Sequence, residues 1–483
     1  VSDQTSAKMK DPWESVDMKV ENAGEKIILP DIPKPMSVKE GVIVLKRIEK
    51  AENTVYDVNE VVYCHFYDGM VALAKALKNI FGIAVAVKSP PKHFFDSEHP
   101  PQMVHVRTGP DIDDFIQVPF GRFQLPGVDG YIETGQTKSR GIPMLSITGE
   151  VKAKDKKVVM RVVKEAQKVS KEQSIYRSAS IILDKKNGID QQGQIDFREP
   201  LQFFNPSLGN EVPIFNKETE ELINVAIMSP LQQTKRCRQE NIPLRRGVLF
   251  EGPYGTGKTL TAKQVASVAN QNGWTFILVK SPQALKFSLE FAKLYQPCVV
   301  FTEDIDRVVK SRNEGANDLI NEIDGIISKT DEILTVLTTN FVEKIDKSML
   351  RPGRLDTVVS IRPPEGETVG RLIKFYAGEL LDPKADINGA IEKLSGYIPA
   401  AIAEAVQKSK LSMIYHGRDM INGEDITTSA IGMENHMKLL DEANEGENEV
   451  DDLSTQIAEI VKTNSELTMR KTLKKAGFSL DDE

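Results

Sequence analysis

A chain of 483 residues with 40% hydrophobic and 27% charged residues has room for roughly two to four globular domains and a sizeable core. Its formal net charge of −8 argues against a protein that coats nucleic acid through bulk charge, while leaving room for a local basic surface. Cys64, Cys237 and Cys298 are widely separated, which excludes a disulfide framework or cysteine zinc site and fits a reducing compartment. No apolar run approaches the ~20 residues that span a bilayer, so no membrane association and a cytoplasmic location are expected.

Residues 1–36 form the first expected segment. The chain opens on Val1 rather than Met, so its natural start is expected upstream. Up to Glu25 it is polar, unlike a signal peptide, and Ile27-Ile28-Leu29-Pro30 with Pro33 and Pro35 suggests an extended strap. An α+β domain over 37–205 follows. Ser37-Val38-Lys39-Glu40 matches a capping box, and Val38, Val42, Leu45 and Ile48 continue it as an amphipathic helix. Asp68 is placed to cap a second helix whose buried side carries Met70, Leu73, Ala74, Leu77, Ile80 and Phe81, with Gly82 at its end.

From Ile83 to Gly149 short β-like runs take over, among them Ala84–Val87, Met103–Val106 and Ile142–Ile147. His93, His99 and His105 lack HxxxH or HxH spacing, so no metal site is expected there. A helix from Asp155 to Ser174 carries a valine stripe. From Val151 to Glu172 it holds eight Lys or Arg against three acids. A polyanion-binding surface and a solvated outer face both fit, and the solvated face is preferred because charged outer faces are ordinary. Tyr176–Leu183 is again β-like.

The strongest signal is Gly252-Pro253-Tyr254-Gly255-Thr256-Gly257-Lys258-Thr259, directly after the apolar run Gly247–Phe250. A loop that wraps phosphates must turn tightly and bring backbone N–H groups close, so it needs glycine. Lys258 offers a point charge for the β- and γ-phosphates, and the Thr259 hydroxyl is placed to hold Mg²⁺. Ala262, Val265, Ala266 and Ala269 then recur at helical spacing, so the loop opens a helix whose N-terminus favours anions. Gly252 through Thr259, with Leu260, are the expected ATP-contacting residues, and Thr259 and Glu303 the expected Mg²⁺ residues through ATP.

Further pieces follow at regular intervals. Val299-Val300-Phe301-Thr302-Glu303-Asp304-Ile305-Asp306 is an apolar strand ending in carboxylates; Ile333–Thr339 is a strand ending in the amide of Asn340; Met349–Asp356 puts Arg351 and Arg354 on a turn. Together these segments resemble the AAA family of ATPases over roughly 211–437. The resemblance implies an α/β P-loop NTPase core with a five-stranded parallel sheet over 206–365, a helical lid over 366–437, and a homo-oligomeric ring, usually a hexamer, with ATP between neighbours. It implies Glu303 as the Mg²⁺-side acid, Asp304 as the water-activating acid and Asn340 as the polar sensor. Arg351 and Arg354 correspond to the arginine fingers that act on a neighbour's ATP. Ser395–Ala400 lies where the family's lid helix approaches the nucleotide, with Pro399 in place of the usual Gly.

Two departures from the family stand out. Its common acid pair is Asp then Glu, whereas this chain has Glu303 then Asp304. The reversed order is similar to the branch containing the mitochondrial AAA protein that assembles respiratory complex three, which favours retained hydrolysis over an ATP-gated scaffold. Second, Lys280–Gln296 is too short for the aromatic pore loop of threading members. Phe287 fits a core position better than a pore, by its helical spacing with Leu294. The expected function is therefore remodelling or assembly of a protein complex, with the N-terminal domain choosing an unidentified client. A nucleic-acid loader fits less well, for want of a basic-aromatic array. Residues 438–483 comprise an acidic linker and a C-terminal helix with Leu453, Ile457, Ile460, Val461 and Leu467 on one stripe, facing either a partner or its own subunit.

Overall fold

The computed structural model describes residues 37–82, 102–111, 113–184, 201–207, 212–305, 326–328, 330–341 and 355–434. The N-terminal strap, the strand expected at Ala84–Val87, His93, His99, Arg351, Arg354 and the C-terminal linker and helix lie outside them.

The N-terminal part is built on a four-stranded antiparallel sheet in the order β1 (Val55–His65), β6 (Ile142–Lys152), β5 (Gly130–Ser139), β4 (Arg122–Phe123). β5 and β6 form a hairpin across Arg140 and Gly141, both at positive φ, the twist that a two-residue turn needs to match its strands. A separate ribbon pairs β2 (Gln102–Arg107) with β3 (Phe115–Phe120). His105 sits exposed on that ribbon, its Nε2 2.6 Å from the Gln117 amide nitrogen, and no metal-binding cluster occurs among the described residues.

Helix α1 (Val38–Glu52) has the expected capping box with Ser37 and Glu40, yet buries none of its residues. Helix α2 (Phe66–Phe81) ends at Gly82 in the left-handed region, as its composition predicts. Asp68 does not cap it: His65 is the N-cap, and the Asp68 carboxylate is buried and bonded elsewhere. Helix α3 (Lys156–Glu172) buries Val159, Val162, Val163, Ala166 and Val169 and exposes Lys157, Arg161, Lys164, Lys168 and Lys171.

The second sheet has seven strands, not five. Its order is β13 (Thr357–Ser360), β9 (Arg246–Glu251), β12 (Ile333–Thr339), β11 (Cys298–Thr302), β10 (Thr275–Val279), β7 (Ser180–Leu183), β8 (Gln202–Phe203). The first six are mutually parallel, and β8 runs antiparallel to β7. The two extra strands come from a segment that composition alone groups with the N-terminal domain. They add to the sheet because β10 has a free edge with the same all-apolar character as Ile181 and Leu183, and an uncovered edge of that kind is a liability.

Strands β10, β11 and β12 are buried at every position, as expected of a parallel sheet covered on both faces. Alternation along each strand assigns the faces. Phe276, Leu278, Val299, Phe301, Leu334 and Val336 pack with helix α7 (Lys258–Gln271) and the segment containing α4 (Lys217–Ile223), α5 (Ser229–Gln232) and α6 (Thr234–Gln239). Ile277, Val279, Val300, Ile333 and Leu337 face helix α8 (Leu285–Leu294), and this cluster runs without a break into α2, α3 and β6. Phe287 is half-buried there, its ring 6.1 Å from that of Phe291, the core position its spacing suggests. The N-terminal sheet and helices α2 and α3 thus share a core with the seven-stranded sheet.

The segment expected as a lid forms a separate helical cluster of α9 (Glu367–Ala377), α10 (Asn388–Leu394), α11 (Pro399–Tyr415) and a last helix over 423–434. Among the described residues, no helix is long and apolar enough to cross a membrane.

Candidate active site

The C-terminal ends of β9, β11 and β12 lie side by side, and each delivers one part of the site. From β9 the chain enters the glycine loop, where Gly252, Gly255 and Gly257 all have positive φ. At Gly252 the need is steric as well. A Cβ on Gly252 would lie 2.3 Å from the Ile361 carbonyl oxygen, and one on Gly255 would lie 2.8 Å from Ile398 Cδ1. Gly257 then caps α7 in the left-handed region, leaving the first-turn N–H groups aimed out of the helix end, the arrangement that receives phosphate. Thr256 donates to the Pro253 carbonyl at 2.8 Å and braces the loop.

Lys258 is buried, and its ammonium sits at the loop's centre, donating to the carbonyls of Gly252 (2.6 Å) and Pro253 (2.9 Å) and to Asn340 Oδ1 (2.8 Å). Thr259 Oγ1 donates to Glu303 Oε1 at 2.7 Å. Asn340 Nδ2 lies 3.3 Å from Asp304 Oδ1. Three motifs 36 or more residues apart in sequence therefore meet in one hydrogen-bonded constellation, with Glu303 on the Thr259 side and Asp304 on the Asn340 side. Tyr254 is 60% exposed at the loop's tip, and Leu260 is half-buried in the first turn of α7.

The N-terminal end of α11 stands against this loop. Ile398 is the N-cap of α11 and Pro399 its first residue, a position where the missing proline N–H has no intrahelical partner to lose. Ile398 and Ala400 stand against Gly255.

Sequence reasoning missed two parts of the site. Phe215 contacts the loop from below, 3.7 Å from a Cβ built on Gly257, and its carbonyl accepts from Arg371 Nη1 of the lid at 3.2 Å. Arg371 Nη2 also bonds Glu220 at 2.7 Å. No local pattern marks Phe215, whose role arises only from its position between loop and lid. The other part is the strand end Thr338-Thr339: the Thr339 carbonyl accepts from Gly252 N at 3.3 Å, and Thr338 contacts the acid turn.

The residues present suit Mg-ATP. Thr259 and Glu303 offer hard oxygen donors facing each other, and the N-terminus of α7 follows the glycine loop directly.

Comparison with known proteins agrees with this geometry. Residues 248–363 match the family described as ATPase family associated with various cellular activities (AAA). The chain carries an AAA ATPase domain. The chain is 32% identical over 244 residues to a cell division cycle protein 48 homolog of Archaeoglobus fulgidus, covering 44% of this chain and 32% of that protein. The ribosome biogenesis ATPase RIX7 of Saccharomyces cerevisiae is 31% identical over 287 residues, covering 54% of this chain and 32% of its own length. The zinc metalloprotease FtsH 2 of Symbiobacterium thermophilum is 28% identical over 230 residues, 43% and 38% of the two chains. The chain thus spans about a third of the length of these relatives.

Proposed function

We propose that this protein is a cytoplasmic, ring-forming AAA ATPase that couples Mg-ATP hydrolysis to remodelling or assembly of a protein complex. The observation that carries this reading is the convergence of Lys258, Thr259, Glu303, Asp304 and Asn340 at three adjacent strand ends. In this reading the backbone N–H groups of 252–260 and Lys258 hold the triphosphate, and Thr259 and Glu303 hold Mg²⁺. Bound there, Mg²⁺ neutralises charge on the phosphates and on the transferred group. Asp304 accepts the proton of the attacking water while Asn340 orients it. Arg351 and Arg354 act on the ATP of the adjacent subunit in a hexamer.

The reversed acid order and the short segment between β10 and β11 support kinship with the branch containing the mitochondrial AAA protein that assembles respiratory complex three. Phe287, packed in the core, leaves that segment without the aromatic used for threading. The shared core of N-terminal domain and ATPase sheet supports a role for that domain in presenting a protein client to the motor, over the 37–205 span that reaches into the sheet through β7 and β8.

Steady-state hydrolysis by wild type, Lys258→Ala, Arg351→Ala and Arg354→Ala, with native mass with and without ATP, tests the proposal. The expected result is a nucleotide-stabilised ring that turns over ATP, loss of about 10²-fold or more in turnover in Lys258→Ala, and ATP binding without turnover in the arginine variants. A ring that binds ATP yet shows no turnover in the wild type refutes the motor and leaves an ATP-gated scaffold.

A further inference from the structure

The reversed acid pair poses a geometric problem. Asp304 carries a carboxylate one methylene shorter than the glutamate usual at its position, so its backbone must bring that carboxylate to the working place. The backbone does change there. Asp304 has φ +47, in the left-handed region that a non-glycine residue enters at a cost and that clusters at functional sites.

What holds it there is visible in the hydrogen bonds around the end of β11. Glu303 N still donates to Val279 of β10 at 3.0 Å. One residue later the chain switches sides: Asp304 N donates to Thr338 Oγ1 at 2.9 Å, and Ile305 N donates to the Thr338 carbonyl at 2.9 Å. Thr338 therefore clamps both peptides that flank the Asp304 Cα. Asn340 follows two residues later, just past the end of β12, so one residue holds the Asp304 backbone while the other meets its carboxylate. Thr338 is itself 1% exposed, paired with Phe250 of β9, and has little freedom to drift.

We infer that Thr338 is a positioning residue: its hydroxyl fixes Asp304 in the left-handed conformation that lets the shorter acid serve as the water-activating group. This rests on the functional reading of Asp304 given above. Valine is nearly isosteric with threonine but has no acceptor for the Asp304 N–H, whereas serine keeps one.

The test is kcat and KM for ATP in wild type, Thr338→Val and Thr338→Ser, with titration of a fluorescent ADP analogue and melting temperature. The expected result is a fall in kcat of about 10- to 100-fold in Thr338→Val, the scale of a displacement near one ångström. KM, ADP affinity and melting temperature stay near wild type, and Thr338→Ser recovers most of the rate. In an active wild type, an unchanged kcat in Thr338→Val, or equal losses in kcat and ADP affinity, or no recovery by serine, overturns the inference. A wild type without turnover overturns both this inference and the ATPase reading.

Discussion

The nucleotide loop and the junction between the N-terminal domain and the ATPase sheet are both polar and both partly buried, yet they are built in opposite ways. In the loop, the polar groups come from a short contiguous stretch and bond to the loop's own carbonyls and to the neighbouring strand ends, where a nucleotide would compete for them. At the junction they come from places more than 100 residues apart and point at each other. Asp68 accepts from Ser174 Oγ (2.7 Å), Ile175 N (3.0 Å) and Tyr295 Oη (3.1 Å), while Tyr295 Oη accepts from His65 N at 2.9 Å. Arg177 reaches across to the carbonyls of Leu294 (2.9 Å) and Gln296 (2.8 Å). A polar group that must release its partners for a ligand contributes to chemistry, and one whose partners are permanent contributes to a unique docking geometry. Changes at the loop should therefore alter turnover and spare stability; changes at the junction should do the reverse.

The largest expected stability effect is at Asp68. Burial pushes its carboxyl above the usual range, against the opposing pull of the Ile175, Ser174 and Tyr295 donors and the Arg177 charge. Asp68→Ala strands three donors at once, two of them buried, which should cost about 3 to 5 kcal/mol. Urea denaturation followed by fluorescence measures it. Because β7 and α8 lie in one hydrophobic cluster with α2, the N-terminal domain and the ATPase sheet should lose stability together in a single transition. Two separate transitions in the wild type would break the comparison by making the junction a mere contact.

These two regions also differ in how far they were legible in the sequence. The phosphate loop, Glu303, Asp304 and Asn340 could be read because each chemical role demands a residue type at a fixed place on a strand end, and the strands announce themselves as apolar runs. The capping box at Ser37 and the Gly82 helix end were legible for the same local reason. The seven-strand sheet was not, because Ser180–Leu183 carries a β signal but nothing in it says which sheet edge it joins. Asp68 was read as a helix cap because an acid in a first turn usually acts locally; its real partner, Tyr295, lies 227 residues away. Phe215 and Thr338 escaped because ordinary residue types acquire a role only from what the fold sets beside them.

The next effect in size concerns pH. His65 is 1% exposed among Tyr67, Tyr176 and Phe291, and neither ring nitrogen has a hydrogen-bond partner among the described residues. Burial holds its pKa down to about 3. A depressed folded pKa means that the unfolded chain binds the proton first, so this contribution to stability is present above about pH 6.5 and is lost progressively as pH falls towards 3. Between pH 7 and pH 5 the loss should be about 2 kcal/mol. Asp68 runs the other way, since a raised folded carboxyl pKa gives stability that is lost as pH rises through it. Comparing wild type with His65→Phe at both pH values separates the two: the variant should lose about 2 kcal/mol less on acidification. Equal slopes in the two proteins would mean that the imidazole is not the acid-sensitive element of the junction.

The smallest stability effect is expected where the two kinds of region meet, at Arg371. Its guanidinium joins the lid to Glu220 and to the Phe215 carbonyl, but both partners of the ion pair are about a third exposed. Solvent screening limits such a pair to under about 1 kcal/mol, so Arg371→Ala should leave the urea midpoint almost unchanged. Phe215, however, touches the loop at Gly257, and freeing its carbonyl loosens one wall of the nucleotide site. That predicts a rise in the KM for ATP of about threefold with kcat retained, the pattern of lost uniform binding. A fall in kcat instead would place Arg371 in the chemical step itself, and the boundary between structural and catalytic polar groups would have to be drawn one residue further into the lid.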